Sequence, residues 1–179
     1  MEDKKLNDYV SELLLWNKNF NLIGRSTEND IWETHIENSL ELLKFLKQDN
    51  CQNIIDIGSG AGLPSIPLAI FLNEKSFFLT ETNLKKIAFL TFVAKKLKLN
   101  NIKVININEG FKMENECIVT SRAFATLTNI LKWEKKHLQN VKKNFILKGR
   151  EDNIKKELYE AKIENYEIFH LKKGNLVVF

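Results

Sequence analysis

The sequence predicts an α/β sandwich: a mostly parallel sheet flanked by helices, closed by an antiparallel hairpin and preceded by a helical extension. Three observations carry this. Residues 1–48 show only helical periodicity. From Asn53 onward, short apolar runs alternate with amphipathic stretches, the pattern of strand–helix–strand crossovers. The last two apolar runs are joined by only Leu171–Gly174, too short for a crossover, so they should pair antiparallel.

Leu6, Val10, Leu13 and Leu14 line one face of a first helix, and the asparagines and Gly24 within Trp16–Thr27 break it. A second helix is expected from about Glu28 to Lys47, with Ile31, His35, Leu40, Leu43 and Leu46 near one face. These form an N-terminal helical extension, 1–48; residues 49–179 form the main domain, and together they make one compact unit. Asn53–Ile57 is a short apolar run ending at a glycine cluster, which reads as a buried strand. The alternation then predicts strands at Ser76–Glu81, Ile102–Ile107, Cys117–Ser121 and Asn144–Leu147. Helices are predicted at Asn83–Leu99, Leu127–Leu138 and Glu151–Ala161, and strands near Tyr166–His170 and Asn175–Phe179 finish the chain.

Composition narrows the function. At 179 residues, 44% hydrophobic and 28% charged, the chain is an ordinary globular domain, neither disordered nor collagen-like. No apolar run approaches the roughly 20 residues of a membrane span, and the first ten residues contain no apolar signal core. A soluble, cytoplasmic protein is expected. Cys51 and Cys117 lie far apart without partner clusters, which argues against a disulfide scaffold and against a metal site. The net charge is +4, and Lys132–Lys173 carries 12 Lys/Arg against 7 Asp/Glu. A basic final third is what a polyanion-binding face looks like, and equally what a solvated lysine-rich surface looks like.

The most informative segment is Asp56-Ile-Gly-Ser-Gly-Ala-Gly-Leu-Pro-Ser-Ile-Pro, which follows the first strand and opens a helix. Gly58 and Gly60 let the backbone approach a ligand closely. Leu63 stands where a dinucleotide fingerprint wants glycine or alanine, and Pro64 and Pro67 remove two N–H groups that a pyrophosphate would use. No Lys-Ser/Thr follows, so a Walker nucleotide site is excluded. Asp56 ends the first strand beside the loop. Glu81 ends the next strand, where a carboxylate accepts from both hydroxyls of a ribose. Asn108 and Glu109 follow the third strand, placed to read an adenine edge. An acidic rim repels a pyrophosphate and tolerates a cationic sulfonium, which points to S-adenosylmethionine.

Beyond the loop, Trp16-Asn-Lys-x-Phe-Asn-Leu, Thr34-His-Ile-x-Asn-Ser-Leu, Lys85-Lys-Ile-x-Phe-Leu, Ser121-Arg-Ala-Phe-Ala and Leu147-Lys-Gly occur in order along nearly the whole chain. Together with the loop these blocks resemble the bacterial 16S rRNA guanine-N7 methyltransferases, also called glucose-inhibited division protein B. The resemblance implies a class I (Rossmann-like) methyltransferase sandwich with a seven-stranded sheet whose last strand is antiparallel. It implies methylation of N7 of a guanosine in the 530 loop of 16S rRNA, free or within the 30S particle; a monomer is the simpler expectation for the oligomeric state. It assigns Gly58, Leu63, Asn108, Glu109 and Arg122 to the cofactor. The chain departs from the family at Thr34 and Asn38, where arginine and aspartate are usual, at Ser65, at Glu81-Thr82 and at Ile107.

Guanine N7 has a lone pair and no proton, so no catalytic base is expected. Arg122 is a candidate for the cofactor cleft, for RNA, or for a structural ion pair. Lys148 reads as a phosphate contact or as a lysine capping a strand, and His35 as an RNA contact or a satisfied core histidine. Trp16 and Trp32 read as packing. Two other classes share parts of this pattern: a methyltransferase acting on a small molecule or protein, and a non-catalytic RNA-binding module.

Overall fold

The computed structural model describes residues 1–179. The chain begins with α1 (Glu2–Phe20). An irregular helical run follows, comprising a π-helical stretch at Trp32–Glu37, α2 (Asn38–Leu40) and α3 (Leu43–Leu46). Then come β1 (Asn53–Ile57), α4 (Ser65–Phe71), β2 (Ser76–Glu81), α5 (Leu84–Lys96), β3 (Ile102–Asn106) and β4 (Cys117–Arg122). The chain ends with α6 (Leu127–His137), β5 (Val141–Lys148), α7 (Glu151–Ala161), β6 (Glu167–His170) and β7 (Asn175–Val178). The seven strands lie in the order β3-β2-β1-β4-β5-β7-β6, and β7 alone runs against the rest. The expected sandwich is present, with one refinement. The closing hairpin is not simply added at the edge: β7 inserts between β5 and β6, leaving β6 outermost.

The helices of the extension have other boundaries than expected, the first because tertiary packing overrides local breakers. The first helix continues through the asparagine-rich segment to Phe20, because Trp16 stacks against Phe20, Phe89 and Phe92 at ring separations of 5.3–5.4 Å. It stops at Asn21, which takes the left-handed conformation favoured at helix ends. Trp16 is a packing residue, as expected. The second helix starts at about Ile31 rather than Glu28 and is wound wide in its first part. A helix after every strand also fails once. β3 leads only into a short 3₁₀ turn, Ile107–Glu109, before the chain crosses to β4.

The helical extension is not a separate body. Leu6, Tyr9, Val10 and Leu13 are buried in the same apolar cluster as Ile54, Leu68, Phe77 and Phe89. A second cluster, including Ile55, Val119, Ile130 and Leu158, covers the opposite face of the sheet. The strand order reverses between β1 and β4, and this switch point opens the crevice at the strands' carboxyl ends.

One buried acid sits far from that crevice. Glu134 on α6 is almost fully buried, its Oε1 has no hydrogen-bond partner, and burial raises its pKa to about 7. Asn144 beside it likewise has an unpartnered Oδ1. The folded state therefore holds a proton that the unfolded chain releases, and stability falls as pH rises from about 4.5 toward 7. Glu134→Gln removes the charge and offers Asn144 a donor. It should stabilise the protein by about 1–3 kcal/mol at pH 8, with the gain vanishing near pH 4. Thermal melts at the two pH values check this.

Candidate functional site

The glycine loop leaves β1 at Ile57 and is clamped from three sides. Ser59 N donates to the Thr80 carbonyl at 2.9 Å, and the Ser59 hydroxyl donates to the Asp56 carbonyl at 3.0 Å. Gly60 N donates to Glu81 Oε2 at 3.0 Å. From the helical layer, the buried Tyr9 hydroxyl donates to the Ala61 carbonyl at 2.8 Å. The loop's conformation is thus held before any ligand arrives. Gly58 has φ of +68°, and a Cβ there would fall within the ring of Phe124. Only glycine satisfies both conditions.

A cleft of about 310 Å³ opens over this loop. Gly58, Gly60 and Leu63 line it from below, and His35 and Arg122 line it from the sides. The structure therefore brings together five residues from three segments between positions 35 and 122. Glu81 ends β2 with Oε1 accepting from the amides of Thr82 and Asn83, at 2.8 and 3.0 Å, and Oε2 accepting from Gly60. Its first task is to tie the loop to β2; an ionised carboxylate keeps acceptor capacity for more. Asn108 and Glu109 lie exposed beyond β3. Asn108 Nδ2 donates to the Thr82 carbonyl at 3.3 Å, and Glu109 Oε1 accepts from Asn106 at 2.8 Å.

Asp56, expected at the cofactor on the acidic rim, does not reach the cleft: it is fully buried, with Thr120 Oγ1 3.5 Å from Oδ1 and no partner on Oδ2. Burial raises its pKa to about 7, partly offset by neighbouring hydroxyls and by Arg122. Its side chain points into the core because strand alternation at β1 leaves it there, between β2 and β4.

Arg122 is the hub. Its guanidinium meets His35 Nδ1, and it carries the opposing charge for Asp56. A guanidinium can only donate, so Nδ1 accepts and Nε2 carries the proton. Nε2–H then donates to Thr27 Oγ1 at 2.8 Å, and that hydroxyl donates to the Gly24 carbonyl at 2.7 Å. Burial and the adjacent Arg122 charge lower the His35 pKa to about 4, so the ring is neutral and its partners are satisfied. His35 is both a buried, bonded histidine and a wall of the cleft. The π-helical winding at Trp32–Glu37 carries it, and the Ser39 hydroxyl caps its carbonyl at 2.6 Å. Arg122 Nη1 is buried with no partner.

Lys148 is held, not free. Its ammonium donates to the Ala125 carbonyl and to Glu157 Oε2, both at 2.7 Å, with only 14% of the side chain exposed. Most of the basic final third is similarly engaged: Lys142, Lys155, Lys156, Lys172, Lys173 and Arg150 all have acidic partners within 4 Å. The cations without acidic partners beside the cleft are instead Lys86, which lines it, and Arg25, next to the lining Gly24. Neither is singled out as an RNA contact by the sequence, where Lys86 appears only within the Lys85-Lys-Ile-x-Phe-Leu block. No group of three or more His, Cys, Asp and Glu could hold a metal ion, and both cysteines are buried and free. No helix is long and apolar enough to cross a membrane.

Comparison with solved structures agrees with this architecture. An S-adenosylmethionine-dependent methyltransferase from Aquifex aeolicus superimposes with a TM-score of 0.62 at 14% identity, over 83% of this chain and 90% of its own. Precorrin-6y C5,15-methyltransferase from Geobacter metallireducens gives 0.59 at 14% identity, over 79% of this chain and 86% of its own. At such identity the likeness is one of fold. Sequence relatives say more. Ribosomal RNA small subunit methyltransferase G of Brachyspira hyodysenteriae is 42% identical over 161 residues, which is 90% of this chain and 78% of that protein. The Magnetococcus marinus protein of the same name is 38% identical, over 95% of this chain and 81% of its own. The family profile for rRNA small subunit methyltransferase G matches residues 2–176. Its span takes in the helical layer, the glycine loop and Arg122 together, and the chain belongs to that family.

Proposed function

We propose that this protein is an S-adenosylmethionine-dependent methyltransferase that acts on N7 of a guanosine in the 530 loop of 16S rRNA, in the cytoplasm and as a monomer. Family membership carries the reaction. The observation that carries the cofactor is the cleft: a glycine loop held in place before any ligand arrives, walled by Arg122 and His35. The guanidinium side of that wall suits the α-carboxylate of such a ligand. Gly58, Gly60 and Leu63 supply the close backbone approach; Glu81, tied to Gly60, is read as the ribose contact, and Asn108 and Glu109, which lie outside the cleft lining beyond β3, as the adenine contacts. When bound, S-adenosylmethionine supplies an electrophilic methyl carbon.

The residues of the chain then position, exclude water and leave the proton inventory alone. N7 needs no deprotonation, and the residues at the cleft match that requirement. His35 has both nitrogens committed, Asp56 is sealed away, and no Asp or Glu lines the cleft. Orientation of two bound reactants can supply roughly 7–11 kcal/mol. Turnover at saturating cofactor should be flat between about pH 6 and 9, because no group at the reacting atoms titrates there. Product analysis decides the atom: 7-methylguanosine makes the RNA strand cleavable by borohydride and aniline, and a resistant methylated strand rejects the assignment.

RNA affinity tests the placement of the phosphate contacts. Arg25→Ala and Lys86→Ala should each reduce the slope of log affinity against log salt by somewhat under one unit. Lys155→Ala and Lys156→Ala, whose partners lie on the same helix, should leave it unchanged. Equal effects from both pairs would return the phosphate path to the C-terminal third. Naked 16S rRNA and 30S particles, compared in the same transfer assay, define the substrate's assembly state.

A further inference from the structure

Methylation at N7 leaves a fixed positive charge on the purine, and the site must accommodate it. A carboxylate is the usual device, and here there is none. No acidic residue lines the cleft, nor the adjoining groove of about 330 Å³ that shares Arg122 and Ala123 with it. The charged groups that do face these spaces, Arg122, Lys86, Lys148 and Lys173, are all cationic. The charge developing on the base therefore needs a neutral group of negative electrostatic face.

One side chain has that property in the right place. Phe124 follows the end of β4, and its ring occupies the space where a side chain on Gly58 would stand. It remains 45% exposed, unlike the phenylalanines of the core. Ala123, which turns it there, is held at φ of +52°, a left-handed conformation that costs an alanine about 1 kcal/mol. Strain of this kind persists where the surroundings enforce it, and it clusters at functional sites. Here its effect is to set the Phe124 side chain against the glycine loop, next in sequence to Ala123, the residue that walls both the cleft and the groove.

Resting on the guanine-N7 reading above, we propose that Phe124 is the platform on which the target guanine stacks, and that its ring face stabilises the cationic purine. Stacking on an aromatic holds an unpaired base regardless of hydrogen-bond readout. Attraction between the ring face and a cation grows as the purine gains charge, so the contact is stronger in the transition state than in the ground state. Phe124 thereby raises the rate of transfer in addition to placing the base.

The test measures binding and rate separately. Two RNA hairpins of the 530-loop sequence, one with guanosine and one with 7-methylguanosine at the target position, are titrated by fluorescence anisotropy without cofactor. At pH 6 the methylated base keeps its N1 proton and its net charge. The wild type and Phe124→Trp should bind the methylated hairpin about fivefold tighter than the other. Phe124→Leu, similar in apolar volume but without a π face, should bind both equally. In single-turnover transfer at saturating cofactor, Phe124→Leu should be slower by about tenfold to thirtyfold and Phe124→Trp within about threefold of wild type. Calorimetric affinity for S-adenosylmethionine should be the same in all three. A leucine variant that keeps both the preference and the rate would reduce Phe124 to apolar packing and overturn the proposal. Failure of the underlying reaction reads differently: wild-type product would contain no 7-methylguanosine.

Discussion

Replacing Gly58 with valine is expected to abolish measurable S-adenosylmethionine binding and to lower methyl transfer by at least about a hundredfold. Two penalties coincide. A β-branched residue at φ of +68° is forced into a left-handed conformation that costs roughly 1–2 kcal/mol even for simpler side chains. Its Cβ also falls within the Phe124 ring, so either the ring or the loop must move. The loop is tied to Thr80, Glu81 and Tyr9 and cannot yield without breaking those bonds. The ring, half-exposed, is the part that gives way. The variant should therefore fold, with a thermal midpoint lowered by a few degrees, while the cleft is filled. Isothermal calorimetry with S-adenosylmethionine reads the binding. The double variant Gly58→Ala with Phe124→Ala, which opens the space for a single methyl group, should recover part of the cofactor affinity lost in Gly58→Ala alone. Unaltered binding in the valine variant would remove Gly58 from the site.

Arg122→Ala should cost both stability and function. Arg122 faces Tyr9 and Asp56 in the core and supports His35 Nδ1. Truncation removes the Arg122 charge that partly offsets the burial of Asp56, and it leaves His35 Nδ1 without its donor. Losing a buried hydrogen bond and a more distant counter-charge makes about 1–3 kcal/mol the expected loss. For a chain of this size that is on the order of 2–12 °C in thermal midpoint. The sign with pH follows from the same carboxyl group. Its folded pKa lies above the unfolded one, so its penalty is absent at low pH and grows as pH rises toward 7 and beyond. Without Arg122 the pKa climbs further, and the deficit should be larger at pH 8 than at pH 5. Differential scanning calorimetry at both values checks it. Arg122→Lys should not restore cofactor affinity, since an ammonium cannot serve His35 and a cofactor carboxylate in one plane. A variant as stable as wild type at pH 8 would show that Asp56 needs no counter-charge.

Several features were legible because they depend on neighbours in sequence. β2 at Ser76–Glu81 and α7 at Glu151–Ala161 fall where the pattern places them, each bounded by turn or capping residues. The glycine loop announces itself because backbone approach requires glycine wherever the fold puts it, and the strand ends around it follow from the same alternation. Gly58, Gly60, Leu63, His35 and Arg122, nominated from short motifs, do meet at one cleft.

The remainder depends on contacts between residues far apart in the chain. Alternation sets the face on which the Asp56 side chain lies, but that this face is sealed from the cleft was decided by packing, with Leu79 and Thr120 on the flanking strands and no exposed surface left. Whether Lys148 is free was decided by Glu157, on a helix that only the fold brings alongside. The pairing of Arg122 with His35 joins positions 87 residues apart, and no local pattern encodes it. Insertion of β7 between β5 and β6 is likewise a choice among pairings of equal local propensity. The sequence by itself determined the order of elements, the glycine loop and the residue types at the strand ends, because backbone conformation and periodicity are local properties. Tertiary structure alone decided which charges are buried, which lysines are already paired and which aromatic faces the loop, because desolvation and Coulomb interactions act between groups that the chain brings together only by folding.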